Sequence, residues 1–261
     1  MSNPNCGCVN GTAFCRSHAM QLKQRSREWF QARCGKVTSS RVFHIVDVLK
    51  KGGPTAERAK YFRQLVAERL TGKAQDMRRI RSMDDRSDME PDARSAYGFY
   101  FDREVVEVGF IQHPVIQMAG ASPDGLVGAD GMIEIKCLDA SNHIDLLEGN
   151  EEAIERVMLQ YLPQVHFGMA CAERAWCDFV SFCPQMQDEE LRLFSRTVHR
   201  DDHVIGMLEE AVNEFLGEVS NKVALVRRRL EPIPTIALVP ETASQGHGKR
   251  GSRIPEARIE A

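Results

Sequence analysis

Apolar residues recur at helical spacing in the first part of the chain, alternate through its middle, and return to helical spacing towards the end. The pattern predicts a helix from Arg25 to about Arg33 with Trp29 on its apolar side, then a turn at Gly35. Ser39 or Ser40 reads as the N-cap of a helix reaching about Leu49, because a hydroxyl there accepts from a first-turn amide that has no partner within the helix. Lys50-Lys51-Gly52-Gly53-Pro54 ends it. The next helix, from about Ala56 to Leu70, spaces Tyr61, Leu65 and Leu70 among Arg58, Arg63 and Arg69, and Thr71-Gly72 stops it. Residues 73–90 are polar and carry no period. Pro91 suits a first helical position, where its missing N–H is no loss, so Glu90 is expected at the cap of a helix running through Phe101 and Val106.

Alternation then points to strands over 110–118, 120–127 and 131–138. Residues 151–171 are mainly helical, with Pro163 either kinking that helix or starting a second one. Ala175–Phe182 alternates as another strand. A final helix is expected from about Asp202 to Arg229, with Ile205, Leu208, Val212, Phe215 and Val219 on its buried stripe. Helices, sheet and helices again make an α/β (α+β) domain over residues 25–230, a central mixed β-sheet flanked by helices. Residues 1–24 read as a polar, Cys-rich leader. Residues 231–261, rich in Pro, Gly, Ser, Lys and Arg, read as a disordered tail.

Composition narrows the class. Hydrophobic content of 43% and charged content of 27% are those of an ordinary soluble globular protein. The N-terminus lacks the basic-then-apolar pattern of a secretory signal, and no segment approaches the ~20 apolar residues of a membrane span, so a cytoplasmic protein is expected. The net charge of −3 hides an asymmetry: residues 1–81 hold 17 Lys/Arg against 5 Asp/Glu, and the remainder 17 against 32. A basic N-terminal part suited to phosphates therefore precedes an acidic part suited to a cation. Of the 8 cysteines, Cys34, Cys137, Cys171, Cys177 and Cys183 are scattered among apolar neighbours, as buried thiols in a reducing compartment are. Cys6, Cys8, Cys15 and His18 form a C-x-C-x6-C-x2-H cluster. Two readings of it stay open: a tetrahedral zinc site, or a disordered leader with free thiols.

The densest chemistry lies in Ala121-Ser122-Pro123-Asp124-Gly125-Leu126 and in Ile133-Glu134-Ile135-Lys136-Cys137. Side chains alternate along a strand, so Glu134 and Lys136 share one face while Ile133, Ile135 and Cys137 point the other way. A strand offering a carboxylate and an ammonium, beside a turn offering another carboxylate, suits metal-assisted phosphodiester hydrolysis. Hard oxygen ligands hold Mg²⁺ or Mn²⁺, and a nearby lysine can orient a water or help accept its proton. The competing reading is an exposed hairpin with a solvated Glu–Lys face.

These residues resemble the phage-type alkaline exonucleases, the lambda-exonuclease-like or YqaJ-type viral recombinases of the restriction-endonuclease-like nuclease superfamily. The resemblance rests on S-P-D-G-L followed by E-I-K-C. Upstream it is joined by Trp29 through Ser40, close to a W-x-x-x-R-x-G-x-x-T-x-S pattern, and downstream by Tyr161-Leu162-Pro163-Gln164-Val165, close to Y-x-x-Q-V. The resemblance implies that Asp124, Glu134 and the Ile135 carbonyl hold the metal, with Lys136 beside the attacking water. It implies that Glu90 on a helix ahead of Ala93-Arg94 is a third acid, although Asp88 or Asp92 could take that role here. It places Tyr161 and Gln164 beside the metal, and Arg33, Thr38 and Ser40 around a 5′ terminal phosphate. Double-stranded DNA ends, a trimer and a single-strand annealing protein are the implied partners. An endonuclease or nickase of the same superfamily, and a catalytically silent DNA-binding or docking module, are the alternatives.

Overall fold

The computed structural model describes residues 20–49, 51–75 and 89–228. Asp88, the Cys6–Cys8–Cys15–His18 cluster and the 231–261 tail lie outside the described residues. Helix α1 (Arg27–Arg33) leads into β1 (Val37–Thr38), α2 (Ser39–Val46) and α3 (Ala56–Thr71). Helix α4 (Glu90–Phe101) follows, then β2 (Val105–Val106), β3 (Ile111–Gln112), β4 (Ala119–Ala121), β5 (Gly125–Val127) and β6 (Gly131–Lys136). Helices α5 (Ala140–Leu147), α6 (Glu151–Met158) and α7 (Leu162–Ala172) separate β6 from β7 (Trp176–Phe182). Strand β8 (Leu193–His199) and α8 (Asp202–Arg228) complete the described chain.

The strands form two mixed sheets flanked by helices, one ordered β2-β5-β6-β7-β8 and the other β1-β4-β3. β6 and β7 run parallel with Glu134 opposite Phe179, which requires the long α5–α7 crossover between them. β1 also pairs in parallel with β4. Most of the apolar stripe predicted for α8, with Leu208, Val212, Phe215 and Val219, packs on Val42 and Ile45 of α2, Tyr61 and Leu65 of α3, and Phe167 of α7. The Tyr61 and Phe215 rings stack at 5.6 Å.

Several boundaries differ from expectation, each for a local reason. α1 starts at Arg27, not Arg25, because Ser26 caps it by accepting from the Trp29 amide, and Arg25 takes a positive φ of 64°. Thr38, rather than Ser39 or Ser40, is the N-cap of α2, since β1 runs directly into the helix. The Thr38 amide bonds to the Tyr61 hydroxyl, and its own hydroxyl lies 3.4 Å from Ser40 Oγ. Met89 is the N-cap of α4, which puts Glu90 inside the first turn. That helix stops at Phe101, where Asp102 turns left-handed, and Val105–Val106 instead pair with Val127 and Leu126. Of the expected 110–118 strand only Ile111–Gln112 is extended in a ladder. Pro163 starts a second helix rather than kinking one. α5 and β8 had not been expected; β8 is an edge strand with mixed polar faces and little alternation to find.

The α3 boundaries match the sequence reading closely. Thr55 accepts from the Arg58 amide at 3.2 Å and Gly72 closes the C-terminus at φ 66°. Thr55→Ala should therefore lower unfolding stability by about 1 kcal/mol, read from a urea midpoint shift at unchanged m-value.

Candidate active site

Strand β6 is the floor of the site. Its Ile133 and Ile135 pack under Ala93 and Tyr97 of α4, while Met132 packs on Val165 and Met169 of α7. Glu134 follows Met132's parity and faces α7. The alternation is as expected, but the exposed-hairpin alternative fails: every β6 residue except Lys136 is buried, Glu134 to 4% exposure. Burying a carboxylate requires partners. Lys136 Nζ donates to Glu134 Oε1 at 2.7 Å, and Gln164 Nε2 donates to the same oxygen. Lys136 Nζ also lies 5.3 Å from the centre of the Tyr161 ring, so the cation rests against an aromatic face. Tyr161 is the N-cap of α7, and this placement brings it and Gln164 to one end of the strand.

Asp124 enters from the turn ahead of β5. The Ile135 amide donates to its Oδ2 at 2.6 Å, and the Asp124 amide returns a 3.2 Å bond to the Ile133 carbonyl. The glycine after it is sterically required, because a Cβ at Gly125 would lie 2.2 Å from Val105 Cγ1 on the neighbouring strand. Glu90 arrives from the first turn of α4 and pairs with Arg25 at 2.8 Å. Asp92 is exposed, so of the two described candidates for the third acid the fold brings Glu90 towards the site.

Electrostatics binds these groups into one unit. Burial raises the Glu134 pKa to about 7; Lys136 opposes this, while Asp124 and Glu90 reinforce it. Burial also raises Asp124, against the pull of Lys136 and the Ile135 amide. Glu90 is raised by burial and then by Asp124, with Arg25 opposing. Burial acts to strip the proton from Lys136, but Glu134 and Asp124 outweigh it and the net shift is upward. With no cation bound, Glu134 and Asp124 thus hold Lys136 as an ammonium, suited to orienting a water or an oxyanion.

The donor set fits a hard divalent cation in chemistry: burial raises the pKa of all three carboxylates, and a bound cation would offset that cost. Among the described residues, however, no three acidic, His or Cys side chains are gathered closely enough to ligate one ion as they stand. Lys136, the Ile135 amide and Arg25 hold the three acids instead.

Arg33 reaches the same turn from the other side. Its Nη1 donates to Ser122 Oγ at 3.2 Å, and its guanidinium lies 3.9 Å over the Trp29 ring. Trp29 Nε1 donates to that hydroxyl too, at 3.0 Å, so this buried indole is a structural support and not a base-stacking surface. Arg33, Lys36, Thr38 and Tyr61 line a narrow cleft that they share with Glu68. Ser40 is exposed at its edge, bonded to Thr38.

Ser122, Arg25, Gln24 and Arg94 were not singled out from the sequence. Gln24 Nε2 donates to the carbonyls of Val108 and Pro123, bracing the Asp124 turn. Arg94 pairs with Glu107, lowers the pKa of both Asp124 and Glu90, and keeps a buried Nε with no bond among the described residues. The serine inside S-P-D-G and the arginine after Ala93 were the available signals. Cys171, Cys177 and Cys183 are buried, as expected, whereas Cys34 and Cys137 are half-buried. No described helix is long and apolar enough to cross a membrane.

Residues 28–175 match the YqaJ-like viral recombinase domain. Among solved structures, the alkaline exonuclease LHK-Exo from Laribacter hongkongensis is 37% identical, with a TM-score of 0.69 over 78% of this chain and 98% of its own. LHK-Exo in complex with dAMP matches at 36% identity and a TM-score of 0.67, with the same coverage of 78% and 98%. A phage-related exonuclease from Haemophilus somnus 129PT, 16% identical over 74% of this chain and 96% of its own with a TM-score of 0.55, shares the fold. No curated protein matches. A match over more than half the chain, joined to a relative of this identity and coverage, means that the protein belongs to the YqaJ-like viral recombinase family and is a nuclease.

Proposed function

We propose that this nuclease is a Mg²⁺-dependent exonuclease of linear duplex DNA. It hydrolyses phosphodiester bonds 5′-to-3′ and leaves 3′ single-stranded overhangs for phage-type recombination. The observation that carries this reading is the bond from Arg33 to Ser122, two residues ahead of Asp124. A cationic group suited to a terminal phosphate is built on the same turn as the metal-ligand candidate, an arrangement useful to an end-processing enzyme and superfluous to an internal cutter. The dAMP found with LHK-Exo is a nucleoside monophosphate, the type of product that stepwise trimming releases.

Asp124, Glu134, Glu90 and the Ile135 carbonyl would hold Mg²⁺, or Mn²⁺ in its place. Such a cation polarises a phosphoryl oxygen and lowers the pKa of a bound water. Gln164 fixes the rotamer of Glu134 through its bond to Oε1, and Tyr161 gives the Lys136 ammonium an aromatic wall. Lys136, whose ammonium lies against Glu134, donates to the attacking water or to the developing phosphoryl charge. Arg33, with Thr38 and Ser40, receives the 5′ phosphate by charge-assisted hydrogen bonds. By family resemblance the assembly is a trimer around DNA, working in the cytoplasm with a single-strand annealing protein. Residues 25–230 are the nuclease domain.

The direct test compares linear duplex bearing a 5′ phosphate or a 5′ hydroxyl with closed circular duplex, each with and without Mg²⁺. Mononucleotide release from the phosphorylated linear duplex, in Mg²⁺ only, is expected. Ready nicking of closed circles with no end preference would replace this reading by the endonuclease one.

The raised Glu134 pKa adds a pH signature. Its folded value of about 7 stands above the ordinary 4.5, so between those values the folded state binds the extra proton. Without metal, its contribution makes the fold less stable as pH rises through that window. Mg²⁺ competes with this proton, so stabilisation by the ion should be small at pH 6 and near its full size at pH 8. Melting temperatures with and without 10 mM Mg²⁺ (~10 mM, a saturating choice for a site of ordinary affinity) check this. Equal shifts at the two pH values would contradict it.

A further inference from the structure

A cavity of about 610 Å³ lies away from the acidic site, where the ends of α3 and α8 meet. Arg69, Ser220, Val223, Ala224, Arg227 and Arg228 line it, and no acidic side chain is among them. Arg69 is held by two bonds, from Nε to the Gly35 carbonyl at 2.9 Å and from Nη1 to Ser220 Oγ at 3.0 Å. Its Nη2 is buried and has no hydrogen-bond partner among the described residues. Burial is the main influence on this guanidinium and pushes its pKa down.

Arg69 stands with Arg227 and Arg228 around a pocket whose described lining holds no acid, so their positive charge is open to an anion there. Arg227 and Arg228 lie in the last turn of α8 and Arg69 in the last turn of α3, where helix dipoles favour cations. The dipoles explain why basic residues are tolerated there. They do not balance the charge of three arginines around one pocket, which no described carboxylate lines. Location supplies the identity of the anion. Gly35, which accepts from Arg69, is two residues after Arg33, so the cavity and the terminal-phosphate residues sit on either side of one turn. A Cβ at Gly35 would lie 2.8 Å from Arg69 Cγ, which shows how closely the arginine packs on that turn.

We propose that Arg69, Arg227 and Arg228 form a second phosphate-binding site, which grips the DNA phosphodiester backbone near the end being processed. The proposal rests on the reading of the protein as a DNA exonuclease. Phosphate contacts of this kind carry no sequence information; they hold register on the duplex and make binding salt-dependent.

The test measures binding of 5′-phosphorylated duplex to the full chain carrying Glu134→Gln, which blocks turnover, across a salt series. Adding Arg227→Gln and Arg228→Gln, both exposed and both in a good helix former's position, should weaken binding about 10-fold near 0.1 M salt. It should also make the slope of log K against log[salt] shallower by roughly two. Arg69→Gln should remove about one further unit of slope. Unchanged affinity and slope in the Arg227→Gln/Arg228→Gln protein overturns the proposal, whatever Arg69→Gln does to folding. Titration with dAMP alone separates a free nucleotide from DNA: dAMP binding lost in these variants while duplex binding is retained also overturns it. Mg²⁺-dependent cleavage of linear duplex by the otherwise unsubstituted protein reports on the exonuclease reading independently.

Discussion

Asp124→Asn, Glu134→Gln and Lys136→Ala should each cut duplex cleavage at saturating Mg²⁺ by a factor of about 10³ or more. The two acid changes keep shape and remove charge. Each would take one hard ligand from a set of acids whose pKa values burial already raises. Lys136→Ala removes the ammonium that lies between Glu134 and the Tyr161 ring. Folding must be read alongside activity, since the changes act on stability in opposite directions. Glu134→Gln relieves a buried charge and should not lower the melting temperature of the metal-free protein. Lys136→Ala strips Glu134 of its cation and should lower it. Cleavage within tenfold of the unsubstituted protein, by any of the three with a cooperative melt, would falsify the catalytic assignment.

Arg33→Ala should shrink the preference for a 5′-phosphorylated over a 5′-hydroxyl end by about 10- to 100-fold. A charge-assisted bond to a terminal dianion is worth roughly 1.5–3 kcal/mol. Hydrolysis of the 5′-hydroxyl duplex should change much less, because Arg33 meets the turn through Ser122 and Trp29, while the Ile135 amide holds Asp124 and Lys136 and Gln164 hold Glu134. Loss of the Ser122 bond will loosen the Asp124 turn slightly, so Arg33→Lys is the companion variant. It keeps the charge but not the fork geometry or the stacking over Trp29, and should recover only part of the preference. A uniform fall on both ends would move Arg33 from phosphate recognition to support of the turn.

Much of the fold was legible because its signals are local. The α3 helix could be read nearly to the residue, since the Tyr61–Leu65 spacing and the Thr71-Gly72 stop each act within a few positions. The α8 stripe could be read for the same reason. α4 overran by five residues because Asp102 reverses the backbone where its residue type gives little warning, and Val105–Val106 take their structure from a partner strand twenty residues on. Ser39 and Ser40 misled because a hydroxyl signals a cap without saying which of three consecutive hydroxyl residues is at the boundary. β1 settled that by pairing with β4.

The sequence by itself determined the family and the mixed α/β class, and it pointed to the residues proposed for the central chemistry. Asp124, Glu134 and Lys136 are near neighbours in sequence, and strand alternation already places two of them on one face. Only the tertiary structure decided how deeply that face is buried, because burial depends on α4 and α7 closing over β6. Tertiary packing likewise selected Glu90 over Asp92 and brought Gln164 onto Glu134. It also joined Arg33 to Ser122 and set Arg69 beside Arg227 and Arg228 around a pocket with no acid in its described lining. Each of these is a contact between distant positions, set by the shape and solvation of the packed whole, to which no local periodicity or cap refers.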